Sequence, residues 1–575
     1  MKKILVLFLT LILTFSVAFS TVGCRNTGEK IDKSKTQLYV TTFEGGYGTG
    51  WIEAVENRFQ DAYADVSFEP GKKGVQIIVK PERELTHDSL IVNLKGSKQE
   101  VFFTESVNYY DLKQRGLLYD ISEAVTKPLN YDFVSGKTVE GEETVSIADK
   151  MKDLHRDYFN AGSSDSPAYF GLPFYEATYG IIYNVDLFEE NKLYFAPNGN
   201  FIPKSDSTRS NGPDGKTGVI DGVDYTADDG LPATYDEFFK LCDKMVEKGI
   251  TPITWNGVDT AYLNALIESL QADYEGEEQM RLNYTQSGTA THLVKKINAD
   301  GTVEFENPTQ ITKENGYLTW TKQAGKYYGL SFVERIIANT SYYNRSKVVT
   351  STYDQISAQK AFVTSTLNDE KDIAMLVDGS WWHNEATSVF TAASQNFGAN
   401  VGSAKARKFG LMPLPKATAD KVGESYSPME VNSSICFVNG NLDKKKDKLV
   451  KEFIQFCHTN ASLAEFTSET YTTKPFDYTM TDDQIKEMPY WGQQLYKMHG
   501  EVNYIPSYSK SELYVKYASD FTEIYRGKMF QGKYNGTYFE RAHTAMIENG
   551  ITAEQYFMGL ANVLNSDEWA RRYLG

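Results

Sequence analysis

The chain has 575 residues, 41% of them hydrophobic and 23% charged, a globular composition with length for several units at roughly 150 residues per domain. A net charge of −17 and the lack of any basic stripe exclude nucleic acid as a natural partner. Tyrosine is in excess at 38 residues; it offers flat apolar area with a polar tip, which suits polyhydroxylated ligands and interfaces alike.

Lys2 and Lys3 precede an apolar run from Ile4 to Phe19, short for a transmembrane helix and flanked like a signal peptide. The following Ser20-Thr21-Val22-Gly23-Cys24 resembles a bacterial lipobox, with Thr21 where leucine is usual. Residues 1–23 are therefore expected to be a lipoprotein signal peptide. Cys24 would be the lipidated first residue, and 24–35 a polar tether. Two or more acyl chains, at about 0.8 kcal/mol per buried CH₂, would hold such a protein on a membrane. The expected location is the extracytoplasmic face of a Gram-positive-type cell membrane. A plain signal peptide cut nearby is the alternative. Cys242, Cys436 and Cys457 remain, too few for full pairing, and their apolar surroundings predict packed thiols. The seven histidines are scattered, with no CxxC or HExxH, so neither a metal nor a cofactor is expected.

Along the chain, Gln37 to Phe43 reads as a strand, followed by the glycine-rich loop Glu44–Gly50. Trp51, Val55, Phe59 and Ala62 then lie on one face of a helix. No Lys-Ser/Thr follows the glycines, so this is not a phosphate loop. Its glycines allow close backbone approach and leave helix amides free. Val75 to Val79 and Glu100 to Phe103 are further strands, the latter ending in Thr104-Glu105-Ser106. Strands alternating with helices predict a mostly parallel α/β sheet with ligands beyond the strands' carboxyl ends, which puts Glu44–Gly50 and Thr104–Ser106 on one rim.

Residues 169–184, YFGLPFYEATYGIIYN, read as a strand, an aromatic and acidic bend, and a second strand. Pro173 suits an edge or a bend. Tyr175, Glu176 and Tyr179 are candidate ligand residues there, though one face of the segment excludes the other. Residues 190–231 form a polar surface loop whose Asp spacing departs from an EF-hand, leaving calcium as a minor alternative. Thr234 and Glu237 predict a capping box and a helix closing at Gly249. Thr251–Trp255 is a strand that delivers Trp255 near its end. Ile373–Val377 is a buried strand turned by Asp378-Gly379-Ser380 into Trp381-Trp382; adjacent indoles point apart, one to the core and one to the rim. Phe409–Leu414 and 431–438 are strands, Leu449, Val450, Phe453 and Phe456 mark a helix, and the last hundred residues read as helical with aromatic clusters around Tyr490 and Tyr508.

In that order, LPFYEATYGIIYNVDLFEE, PATYDEF, AMLVDGSWW, FGLMPLP and ICFV…KEFIQF behind a lipobox resemble the extracellular (family 1) solute-binding lipoproteins of carbohydrate ABC transporters, the group that includes maltose-binding protein. The resemblance implies an α/β periplasmic-binding-protein-like fold with two discontinuous lobes, a hinge and an interlobe cleft. The lobes would be 36–178 plus 427–475 and 179–426 plus 476–575. It implies ligand contacts at Glu44, Tyr47, Thr104, Glu105, Tyr175, Glu176 and Trp381, with an aromatic near Tyr508 to Tyr514. Tyr179, Trp255 and Trp382 complete the candidate set. The implied function is a monomeric receptor without catalysis, which captures a mono- or oligosaccharide and hands it to ABC permease subunits by hinge closure. The insertions at 190–231 and around 270–345 exceed the compact members. Two alternatives stand beside this: a secreted glycan-active enzyme using Glu105 and Glu176 as an acid–base pair, and a same-fold receptor for a peptide or another non-sugar solute.

Overall fold

The computed structural model describes residues 30–83, 85–134, 141–220, 223–430, 434–502, 504–522 and 528–575. The leader, Cys24 and the first part of the tether lie outside the described residues, as do positions 431–433 of the expected strand at 431–438.

Two sheets and a seam between them organise the chain. Their strands are β1 (Thr36–Phe43), β2 (Val75–Glu82), β3 (Val101–Thr104), β4 (Gly171–Pro173), β5 (Tyr179–Asn184), β6 (Thr251–Trp255), β7 (Ile373–Gly379), β8 (Phe409–Met412), β9 (Met429–Glu430), β10 (Ile435–Val438) and β11 (Ile505–Pro506). The first sheet runs β2-β1-β3-β10-β4 and the second β6-β7-β5-β8. β1, β2 and β3 are parallel, with β10 antiparallel between β3 and β4. In the second sheet β6 and β7 are parallel and β5 is antiparallel to both its neighbours. The reversed strand in each sheet follows a crossing from the other sheet. Pro173 sits in the edge strand β4, where its missing N–H costs least.

The sequence explains these strands. β5, β7 and β8 are buried along their whole length, as near-continuous apolar runs covered by helices must be. The helices that shape the site are α1 (Gly50–Ala62), α2 (Asp153–Phe159), α3 (Tyr235–Glu247), α4 (Ala261–Thr285), α5 (Ala324–Ala338), α6 (Trp382–Glu385), α7 (Asn460–Thr470) and α8 (Tyr490–His499). α1 buries Trp51, Val55 and Phe59; Ala62 is exposed, and Tyr63 closes the face instead. Thr234 caps α3 by accepting from the Glu237 amide at 3.3 Å. The Glu237 carboxylate accepts from the Ala233 amide at 2.7 Å, one residue earlier than a capping box requires. α4 is interrupted at Gly276 (φ 66°). α5 lies close on α4, because a Cβ at Gly325 or Gly329 would fall 2.8 Å from the carbonyl oxygen of Gln271 or Ile267.

The insertion at 190–231 becomes two short hairpins, Tyr194–Phe195 with Phe201–Ile202 and Val219–Ile220 with Val223–Asp224. Among the described residues no three His, Cys, Asp or Glu side chains are grouped to hold a metal ion. Cys242, Cys436 and Cys457 are free and buried.

The chain crosses between sheets at 174–178, between β8 and β10, and again between α7, which packs beside α1, and α8, which packs on β8. β9 and β11 pair in parallel, Met429 opposite Ile505, where the second crossing meets the chain's last return. A buried ion pair, Lys416 to Asp273 at 2.8 Å, ties the second crossing to α4.

Candidate functional site: the cleft between the sheets

One wall is built at the carboxyl ends of β1 and β3. β1 ends at Phe43 and the chain turns through Glu44–Thr49 into α1, whose Thr49 supplies no side-chain cap. Glu44 is held outward by Arg83 at 3.0 Å. Tyr47 turns inward and is 2% exposed, its ring 4.6 Å from that of Tyr175. Among the described residues its hydroxyl has no hydrogen-bond partner, and neither do the Trp51 Nε1 or the Thr104 Oγ1, all three buried. Glu105 is half-buried, and burial pushes its carboxyl up to about 8. No ion pair or hydrogen bond to it is found among the described residues. Its charge acts on the Tyr47 hydroxyl, which burial first and Glu105 second hold well above the ordinary tyrosine range.

Behind this wall Lys474 is buried in an aromatic box, its ammonium 4.3 Å from the Phe466 ring centre, 4.6 Å from Phe174, 5.3 Å from Trp51 and 5.8 Å from Phe103. It donates to the Phe174 carbonyl at 2.8 Å. Burial brings its pKa down to about 8. Lys474 thereby fixes the first crossing to the third from below the cleft.

At the first crossing the three candidates part company. Tyr175 faces the first wall, against Tyr47. Tyr179 faces the second: its ring stands edge-on to Trp381 at 5.0 Å, and its carbonyl accepts from Ser269 of α4 at 2.7 Å. Glu176 points into the hinge. Its Oε2 accepts from Thr473 at 2.7 Å and lies 2.9 Å from His499 Nδ1. Burial alone would push this carboxyl up, but the His499 charge and the hydrogen bonds from His499 and Thr473 outweigh it and hold it below the usual carboxylate range. The other His499 nitrogen faces the Phe476 carbonyl at 3.0 Å, so both ring nitrogens meet acceptors. A second buried pair, His155 to Glu430 at 2.8 Å, lies at the second crossing.

The opposite wall comes from the turn after β7. The Ser380 amide donates to the Thr178 carbonyl at 2.8 Å, and the Thr178 amide returns to Ser380 Oγ at 3.3 Å. Trp381 is half-buried and reaches the first lobe's core. Trp382 is fully buried between Phe409 (5.3 Å), Trp491 (5.6 Å) and Phe362 (5.8 Å). The adjacent indoles thus divide between rim and core. Trp255 is likewise in the second sheet's core, packed on Tyr343 at 4.9 Å with Nε1 donating to His543. Tyr508 is buried 4.1 Å from the Tyr158 ring, its hydroxyl without a partner. The structure brings Tyr47, Thr104, Tyr175 and Tyr179, all buried, and the half-buried Glu105 and Trp381 together where the two sheets meet; it sets Trp255 and Trp382 in the core and Glu176 in the hinge.

Sequence reading passes over Trp51 as a polar group, Lys474, His499 and Asn384, which donates from α6 to the Tyr47 carbonyl. A lysine inside TTKPF and an amide inside WWHNE carry no local mark; their partners lie hundreds of residues away.

Two α/β sheets joined by several crossings, with unpartnered polar groups and aromatic rings on facing walls, define a two-lobed ligand-binding protein. The model of the bacterial extracellular solute-binding protein family matches residues 48–462, and the chain belongs to that family. Among solved structures of the same fold, a chitin oligosaccharide binding protein has a TM-score of 0.52 at 16% identity, covering 94% of this chain and 100% of its own. The apo form of RafE from Streptococcus pneumoniae gives 0.52 at 13%, with 94% and 100% covered. Maltose-bound MalE3 of T. maritima gives 0.51 at 12%, with 92% and 99% covered. No curated protein sequence matches the chain.

Proposed function

We propose that this protein is a lipid-anchored receptor that captures a sugar or oligosaccharide between its lobes, 36–178 plus 427–475 and 179–426 plus 476–575, and delivers it to the permease of an ABC importer. The observation that carries the reading is the set of buried polar groups on the first wall that find no hydrogen-bond partner among the described residues, Tyr47 OH, Trp51 Nε1 and Thr104 Oγ1, beside the half-buried Glu105 carboxyl. Each buried polar group left unpaired costs about 1–3 kcal/mol. A pyranose presents hydroxyls that both donate and accept, and C–H faces that an aromatic ring such as that of the half-buried Trp381 can cover. The ligands of the structural relatives, chitin oligosaccharide and maltose among them, support the same class. Hydrolysis by Glu105 with Glu176 is disfavoured, because Glu176 Oε2 is engaged by Thr473 and His499.

The test is a thermal-shift panel of neutral oligosaccharides, amino sugars and peptides on the chain from residue 25 onward. A ligand at 100 times its Kd adds about 2.7 kcal/mol of stability. Sugars are expected to raise the midpoint; a shift with peptides alone, or new reducing ends after incubation, overturns the reading. For the anchor, Cys24→Ala is expected to move the protein from the membrane pellet to the medium on fractionation.

A further inference from the structure

The two walls meet at the loop that follows β1. A Cβ built on Gly46 would fall 2.3 Å from Cδ1, 3.0 Å from Cγ and 3.2 Å from Nε1 of Trp381, and these are its three nearest atoms. The φ of Gly46 is not in the left-handed region, so the indole across the cleft, not backbone strain, is what excludes a side chain there. One residue further on, the Tyr47 carbonyl accepts from Asn384 Nδ2, which also reaches the Glu469 carbonyl of α7 at 3.4 Å. Trp381 and Asn384 belong to the turn after β7, whereas Gly46, Tyr47 and Glu469 belong to the β1–α1 loop and α7. The turn is braced from behind. Gln359 Nε2 donates to Asp378 at 3.1 Å and to Glu385 at 2.7 Å, and Ser380 and Thr178 bond each other.

We infer that Gly46, Trp381 and Asn384 form a clasp between the lobes that determines ligand affinity by setting the fraction of molecules with the cleft shut. The contact joins elements from opposite sides of the cleft, so it exists only when the lobes meet. For a ligand held by the shut form, the apparent Kd is the intrinsic value divided by that form's population, so loosening the clasp weakens binding in proportion. The affinity consequence rests on the sugar-receptor reading; the conformational one does not.

The experiment uses the chain from residue 25 onward in three forms, wild type, Gly46→Ala and Asn384→Ala, by small-angle X-ray scattering without added sugar. Equilibrium and stopped-flow binding then use raffinose, maltotriose and chitotriose as probes. Gly46→Ala is expected to raise the radius of gyration with the thermal midpoint unchanged, and to weaken whichever probe binds by about tenfold or more through faster dissociation. Asn384→Ala, which removes one hydrogen bond, is expected to act in the same direction by about fivefold. Gly46→Ala combined with Trp381→Ala should scatter like Trp381→Ala alone, since the clash then has no partner. Wild-type scattering from both single variants overturns the clasp. If Gly46→Ala loses its circular dichroism, wild-type scattering from Asn384→Ala alone overturns it. Binding of no probe by the wild type counts against the sugar reading, while the scattering still decides the clasp.

Discussion

Glu105 and Glu176 both follow apolar strands, yet they meet different surroundings. Glu105 is half-buried without a partner, and Glu176 is held by Thr473 and His499. Rim position was legible from the strand ends at Phe43 and Thr104, because parallel strands deliver their loops to one edge. The use of Glu176 was not, because Thr473 and His499 follow some three hundred positions later and carry no local signal. A group left at a rim and a group that braces a joint read alike in one dimension. Glu105→Gln keeps the shape and replaces the titrating carboxyl by an amide that cannot take a charge, and it is expected to weaken sugar binding by about tenfold or more in isothermal titration above about pH 8, where the wild-type carboxylate is ionised. Trp381→Ala is expected to weaken the same binding while leaving the circular dichroism and the unfolding midpoint of the protein close to wild type, since Trp381 is only half-buried. Unchanged affinity in either variant would remove that side chain from the site.

The strands were the legible elements. AMLVDG, FGLM and YGIIYN are apolar on both faces, as only doubly covered strands can be, and all three are found as strands. The long stretch around 270–345 was not legible, because its order comes from one helix lying on another. α5 approaches α4 through Gly325 and Gly329, four residues apart on one face, each directly over a carbonyl of α4. Glycine inside a helix is unfavourable by itself, so this spacing signals close packing rather than helix propensity. Gly329→Ala would gain helix propensity yet force the pair apart, and a net loss of about 1–3 kcal/mol is expected in urea unfolding. A gain would mean that α4 and α5 can separate without cost.

Across the whole molecule, buried histidines tie stability to pH. Burial lowers the pKa of His383 to about 3, and that of His458 to about 3 with Lys474 adding to the effect. Neither His383 nitrogen has a hydrogen-bond partner among the described residues. Between the ordinary imidazole value of about 6.5 and that lowered value, the unfolded chain binds protons that the folded chain refuses, so stability rises with pH across the window and falls as pH drops. His383→Phe is expected to flatten that fall: the loss of urea midpoint between pH 7 and pH 5 should be smaller than in wild type. An identical loss in both proteins would exclude His383 as a source.

The placing of β10 has a consequence for how the chain is made. β3 and β4 of the first sheet leave the ribosome early, but the strand that joins them, Ile435–Val438, follows only after the whole second sheet has been synthesised. Until then the nascent first lobe has a gap with open hydrogen-bonding edges on both sides and cannot close its core. Vectorial synthesis therefore delivers a chain whose first lobe is unfinished, and a chain that stays unfolded until its last third is made is one that can still be threaded through a narrow channel in a membrane.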